Sequence, residues 1–164
     1  MTKKQFNRLT DLSKRVVLAK DALIQLHLGK FIPRRGNYVV FPAYISSYGS
    51  GQDALKQFAT CDVCAKGALI CAYVQSFNCL TVGDMERAES NPVMVEIFGS
   101  VLWGAIESLF EGWGFDVNGV HHRHFENDHK MQFNQSHRRW TMEALLKNII
   151  KNKGKLNYNG VIFG

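Results

Sequence analysis

Leu12, Val16, Ala19, Leu23 and Leu26 recur at spacings of four, three, four and three, the pattern of side chains along one face of an α-helix. No other feature limits the fold as strongly, because a stripe of this width has to be buried against a partner element. Val17 and Ile24 widen the stripe, and Lys14, Arg15, Lys20 and Asp21 are placed mostly on the outward side. Thr10 or Asp11 caps the start, Gly29 stands where a left-handed residue ends a helix, and Pro33 follows it. The same reasoning predicts helices over about 62–74 and over 96–111. A last helix, capped by Ser136, carries Met142, Leu145, Leu146, Ile149 and Ile150 and stops at Gly154. A short helical segment is expected from Asp53 to Phe58, and Thr81 is a candidate cap within a mixed stretch from Asn78 to Ser90.

Strand signals are few. The β-branched and aromatic run at 36–41 predicts one short strand, and Val161-Ile162-Phe163 a second near the end. Residues 46–51 are the most loop-like in the chain. A chain of 164 residues is long enough for a real core. The expected fold is therefore mainly α, α+β with a minor β element: one compact domain of four to five helices over 1–164, with 112–137 as an irregular insertion. Trp103 and Phe110 are expected in its core. No run of eighteen apolar residues occurs, and Thr2-Lys3-Lys4-Gln5 is not followed by an apolar h-region. Neither a membrane span nor a secretory signal is expected, and a cytoplasmic location follows as the default.

The formal charge of +6, from 20 Lys and Arg against 14 Asp and Glu, hides an asymmetry. Residues 1–40 hold nine basic residues against Asp11 and Asp21, and residues 41–80 balance. Residues 81–120 set seven acids against Arg87 alone, and residues 121–164 set eight bases against three acids. The preferred reading has the basic ends folding beside the acidic middle and neutralising it. The sharper one has them converging into one basic face for a polyanion.

The four cysteines follow C-x2-C-x6-C-x7-C, with only one short-spaced pair, which argues against a zinc knuckle. Cys61, Cys64, Ala65, Ala68, Cys71 and Ala72 instead fit a small-residue stripe on one helix, where cysteine serves as a small core residue. The stretch Cys61-Asp62-Val63-Cys64-Ala65-Lys66-Gly67-Ala68-Leu69 resembles the C-x-V-C-A-x-G-A signature of a loose group of small bacteriophage and prophage proteins. Ala19-Lys20-Asp21-Ala22-Leu23, Gly36-Asn37-Tyr38-Val39, Ile106 to Glu111 and Asn148 to Gly154 match in order. The resemblance implies a phage-associated, cytoplasmic, helical protein and brings no activity, cofactor or catalytic residue with it. Residues 112–137 have no counterpart in that group.

Five of six histidines lie at 121, 122, 124, 129 and 137. Glu126-x-x-His129 supplies half of a carboxylate-bridged di-metal pattern and lacks its second half, so surface histidines are the preferred reading. Glu107 and Glu111 share a helical face, and a solvated face or a salt bridge to the basic ends is preferred to general acid catalysis. No phosphate loop, dinucleotide fingerprint or nucleophile elbow occurs. No metal or cofactor is expected.

The leading expectation is a non-catalytic, phage-type accessory protein that binds a host protein, such as a defence component, with Trp113 and Phe115 as candidate contacts. The alternative is a nucleic-acid or nucleotide binder using Arg34, Arg35, Arg138, Arg139, Trp140, Lys147 and Lys151. Trp140 beside two arginines is suited either to stacking on a base or to opening the buried face of the last helix. A metal-dependent enzyme using the histidines or cysteines is the third reading.

Overall fold

The computed structural model describes residues 1–77, 79–111, 114–115, 121–122, 140–158 and 160–164; of Gly114, Phe115, His121 and His122 only the backbone is described. Among them are eight α-helices and seven short strands, so the chain is mostly helical with a minor β component. The helix count exceeds the four to five expected. Helix α3 (Gly51–Gln57) covers most of the segment expected from Asp53 to Phe58, whereas α1 (Lys3–Asn7) and α5 (Val82–Glu86) are additional; all three are one or two turns long, too short for apolar periodicity to register well. What marks them is their caps: Thr2, Ser50 and Thr81 each accept a bond from a backbone N–H of the first turn. Thr2 with Gln5 and Thr81 with Asp84 complete reciprocal capping boxes.

Helix α2 (Asp11–His27) starts at the Thr10 cap, as expected. Its buried face is rotated from the predicted stripe. Arg15, Leu18, Ala19, Ala22 and Gln25 are buried, whereas Leu12 and Ile24 are exposed. The small alanines let α4 (Ala65–Phe77) and α8 (Met142–Lys151) approach closely. Arg15 can be buried because its Nε donates to the Ile97 carbonyl at 2.7 Å and a terminal nitrogen to the Gly154 carbonyl at 3.3 Å. Desolvation lowers the guanidinium pKa from its ordinary value. Helices α2 and α8 are antiparallel: His27 lies 3.2 Å from Glu143, while Gly154, beyond the end of α8, backs onto Leu12.

Strands β1 (Phe31–Pro33), β2 (Val39–Val40) and β3 (Cys61–Val63) form a sheet ordered β1-β3-β2, parallel on one side of β3 and antiparallel on the other. The strand expected at 36–41 thus narrows to two residues. The cysteine stripe is also corrected. Cys61 lies in β3, where it pairs with Phe31, and α4 begins only at Ala65. The alternation Cys61-Asp62-Val63, buried at both ends, satisfies a central strand better than a helix start. Cys61, Cys64 and Cys71 are all buried free thiols, as core residues would be.

The single helix expected over 96–111 is two. Helices α6 (Pro92–Phe98) and α7 (Ser100–Glu111) meet at 97°, because Gly99 adopts φ +72°, a region open to glycine. Trp103 and Phe110 are buried as expected, and the Trp103 indole N–H donates to the Ala88 carbonyl at 3.0 Å. Ser136 lies outside the described residues; Thr141 caps α8. Strands β4 (Gly114–Phe115) and β5 (His121–His122) pair, and β6 (Leu156–Tyr158) with β7 (Val161–Phe163) forms a hairpin that contains the strand expected there. No single helix among the described residues is long and apolar enough to cross a membrane.

Candidate functional site

The chain between β1 and α3 builds two unlike places. The first is a polar network beneath Tyr38. Lys66, only 2% exposed in the first turn of α4, places Nζ 2.5 Å from Glu107 Oε2 on α7, and Glu107 is 7% exposed. The Tyr38 hydroxyl donates to the other Glu107 oxygen at 2.9 Å and lies 3.4 Å from Glu89 Oε2. The ammonium also sits 5.3 Å from the Trp103 ring centroid. Both oxygens of Glu107 are therefore engaged, the condition under which a buried carboxylate is tolerated. The expectation of a solvated face or a bridge to the basic ends is corrected for Glu107: its cation comes from the charge-balanced stretch 41–80.

Gly67 makes this arrangement possible. A Cβ there would overlap the Tyr38 carbonyl, so only glycine lets this backbone lie against α4. Cys64 fixes the same junction, its N–H donating to the Tyr38 carbonyl at 3.1 Å. Gly36, Asn37, Tyr38, Cys64, Glu89, Glu107 and Glu111 line a cavity of about 360 Å³. Burial holds the Tyr38 hydroxyl well above its ordinary range, with the Glu107 charge adding to it, and burial pushes the Cys64 thiol up to about 12. Both groups are neutral at physiological pH. Glu111 accepts from the Gly36 N–H at 3.0 Å.

The second place is the loop from Phe41 to Ser50. Its C-terminal half is tied down by backbone bonds. The N–H groups of Val82 and Gly83 donate to the carbonyls of Gly49 and Ser47 at 2.9 and 2.8 Å, and that of Gly51 to Leu80 at 3.0 Å. Ser50, the α3 cap, bridges to Thr81, the α5 cap. Within the loop the Gly49 N–H donates to the Ser46 carbonyl at 2.8 Å, and at the entry Phe41 packs on Phe58 at 5.8 Å. From this fixed base Tyr44 and Tyr48 project into solvent, 94% and 93% exposed. They are the most exposed of the large apolar and aromatic side chains among the described residues.

Among the described residues the basic side chains singled out from sequence do not form one face, although Arg35 and Lys147 both lie near Glu143. Arg34 pairs with Asp62 at 2.5 Å, and Arg35 donates to the Phe110 carbonyl at 2.7 Å with its guanidinium over the Phe110 ring. Arg35, His27 and Glu143 line a cavity at the start of α8, whereas Lys151 is exposed at its end. At 1.5 Å rise per residue, that helix separates them by about 15 Å. Lys147 pairs with Glu143 at 2.6 Å, and Trp140 is half-buried, 5.8 Å from the Tyr158 ring. Arg138, Arg139 and Trp113 lie outside the described residues, as does the side chain of Phe115. The histidine run beyond His122 is outside them too. Among the described residues no group of three His, Cys, Asp or Glu side chains is placed to hold a metal ion.

Tyr44 and Tyr48 escaped the sequence reading because aromatic residues are ordinarily assigned to a core. The signal available was their company: Tyr-Ile-Ser-Ser-Tyr-Gly-Ser-Gly has the Tyr, Ser and Gly bias of binding loops. Lys66 carried a signal as well, being the only charged residue between Asp62 and Asp84. No family model, no curated protein and no solved structure matches the chain.

Proposed function

We propose that this chain is a non-catalytic binding protein of phage type that engages a protein of the host cell, such as a defence component, through the loop from Phe41 to Ser50. The observation that carries this reading is the exposure of Tyr44 and Tyr48 in a loop whose second half, from Ser47 to Gly51, is fixed by bonds to residues 80–83. Tyrosine gives a large contact area with few rotatable bonds, and a pre-ordered loop avoids much of the ordering cost of association. Tyrosines in such positions dominate interface energetics far out of proportion to their number. The carboxylate network offers no competing chemistry of equal weight, since Glu107 is saturated by Lys66 and Tyr38.

Capture from host lysate with the wild-type chain and with Tyr44→Ala/Tyr48→Ala tests this. The wild type is expected to retain a specific protein that the double variant loses. Retention of the same protein by both forms would refute the assignment to this loop.

A second reading, nucleic-acid binding, has one observation in its favour. The antiparallel pairing of α2 and α8 brings the start of α2, where Lys14 is paired with Asp11 at 2.9 Å, to the end of the molecule that carries the exposed Lys151, Lys153 and Lys155. Fluorescence anisotropy with single- and double-stranded DNA and RNA at two salt concentrations decides it. Binding that weakens steeply with salt supports this reading, and no binding at low salt removes it.

A further inference from the structure

The tyrosine loop and its base come from two stretches of the sequence that lack positive charge. No Lys or Arg occurs between Arg35 and Lys56, nor between Lys66 and Arg87, although the chain has 20 such residues. These two stretches together build the loop and its base: Tyr44 and Tyr48 come from the first, and residues 80–83, which hold the loop, from the second. The charges inside these stretches are all negative, with the exposed Lys56 and Arg87 at their ends. Asp53 lies in the first turn of α3, bonded through its N–H to the cap Ser50. Asp84 lies in the first turn of α5, immediately after Gly83, whose N–H holds Ser47. Glu86 ends α5. All three are exposed, and none forms an ion pair among the described residues. The tyrosine rings, with electron-rich faces, attract guanidinium and ammonium groups, and the carboxylates on the two helices that hold the loop attract the same groups at longer range.

We infer that the segment docking on Tyr44 and Tyr48 is basic: a protein surface or strand presenting Arg or Lys to the tyrosine rings, with Asp53, Asp84 and Glu86 as an acidic rim. This rests on the reading of the loop as the binding surface. It runs against the protein's total charge, since a net charge of +6 by itself favours an acidic partner. The local and global charges therefore give opposite forecasts.

Selection of a displayed random dodecapeptide library on the intact chain separates them. The library is first depleted on Tyr44→Ala/Tyr48→Ala, so that only peptides dependent on the loop are counted. Recovered peptides are expected to be enriched in Arg and Lys over Asp and Glu, and their association with Asp53→Lys/Glu86→Lys to be slower by about tenfold. Loop-dependent peptides that are acidic or charge-neutral, or that bind the charge-reversed form equally fast, would overturn the basic-partner inference and leave the loop as the docking surface. Peptides that bind wild type and tyrosine variant alike, with none dependent on the loop, would overturn both.

Discussion

Tyr38 and the pair Tyr44 and Tyr48 lie within eleven residues of one another on one connecting stretch, and the fold treats them in opposite ways. Tyr38 bonds Glu107, which holds the buried Lys66, and its hydroxyl is kept protonated by burial. Tyr44 and Tyr48 have almost their whole surface in water. A tyrosine whose ring and hydroxyl are both satisfied internally contributes to stability. One left exposed contributes nothing visible to stability, and on the proposed function its value is in association. The difference separates a region whose changes should be felt in folding from one whose changes should be felt in binding.

The largest effect is expected at the ion pair. Lys66→Met leaves Glu107 buried without its cation and should cost about 3–5 kcal/mol in urea unfolding, whereas Lys66→Met/Glu107→Leu should recover most of that loss. A single variant as stable as wild type would show that the pair is solvated. Next comes Gly67→Ala, which forces the Tyr38 carbonyl away from α4 and should cost about 1–3 kcal/mol. An unchanged midpoint would mean the stretch 36–38 is not held against the helix.

An effect absent at neutral pH and seen only in alkali belongs to Cys64. Its thiol ordinarily ionises near 9 and is raised to about 12 in the fold. The unfolded chain therefore releases this proton first as the solution turns alkaline. The stabilisation is complete below pH 9 and declines as pH rises towards 12, by up to about 1.4 kcal/mol per pH unit. Cys64→Ala should flatten that decline; an identical slope in the variant would contradict the buried, protonated thiol. Smallest of all in stability is Tyr44→Ala/Tyr48→Ala, expected to shift unfolding by less than about 0.5 kcal/mol. A larger loss would place the tyrosines in the fold's interior contacts and blur the contrast.

How much of this was legible beforehand depends on the range of the interactions. The Thr10 cap, helix α2 and the strand at Val161 to Phe163 follow from neighbours a few residues apart, and sequence pattern reaches them. The break at Gly99 was hidden because Phe98, Leu102, Ala105 and Ile106 keep an apolar face on paper, whatever the backbone does between them. The rotation of α2 was hidden for another reason: what buries Arg15 are two carbonyls, 82 and 139 residues away. Lys66 and Glu107 are 41 residues apart, and neither alone announces its partner. The strand at Cys61 needed Phe31 to pair with, and without that partner its small residues suited a helix equally well. The candidate loop could be recognised as a loop, but not that its base is fixed, since the groups that fix it are backbone atoms of residues 80–83.

The loop bearing Tyr44 and Tyr48 is proposed as the surface on which another protein docks. Amide hydrogen exchange of the chain, alone and saturated with its captured partner, tests it directly. Slowed exchange is predicted at 42–50 and 80–86, with the end of the molecule formed by 12–15 and 151–155 unchanged. Protection confined to that basic end, with the tyrosine loop exchanging as it does in the free chain, would contradict the account.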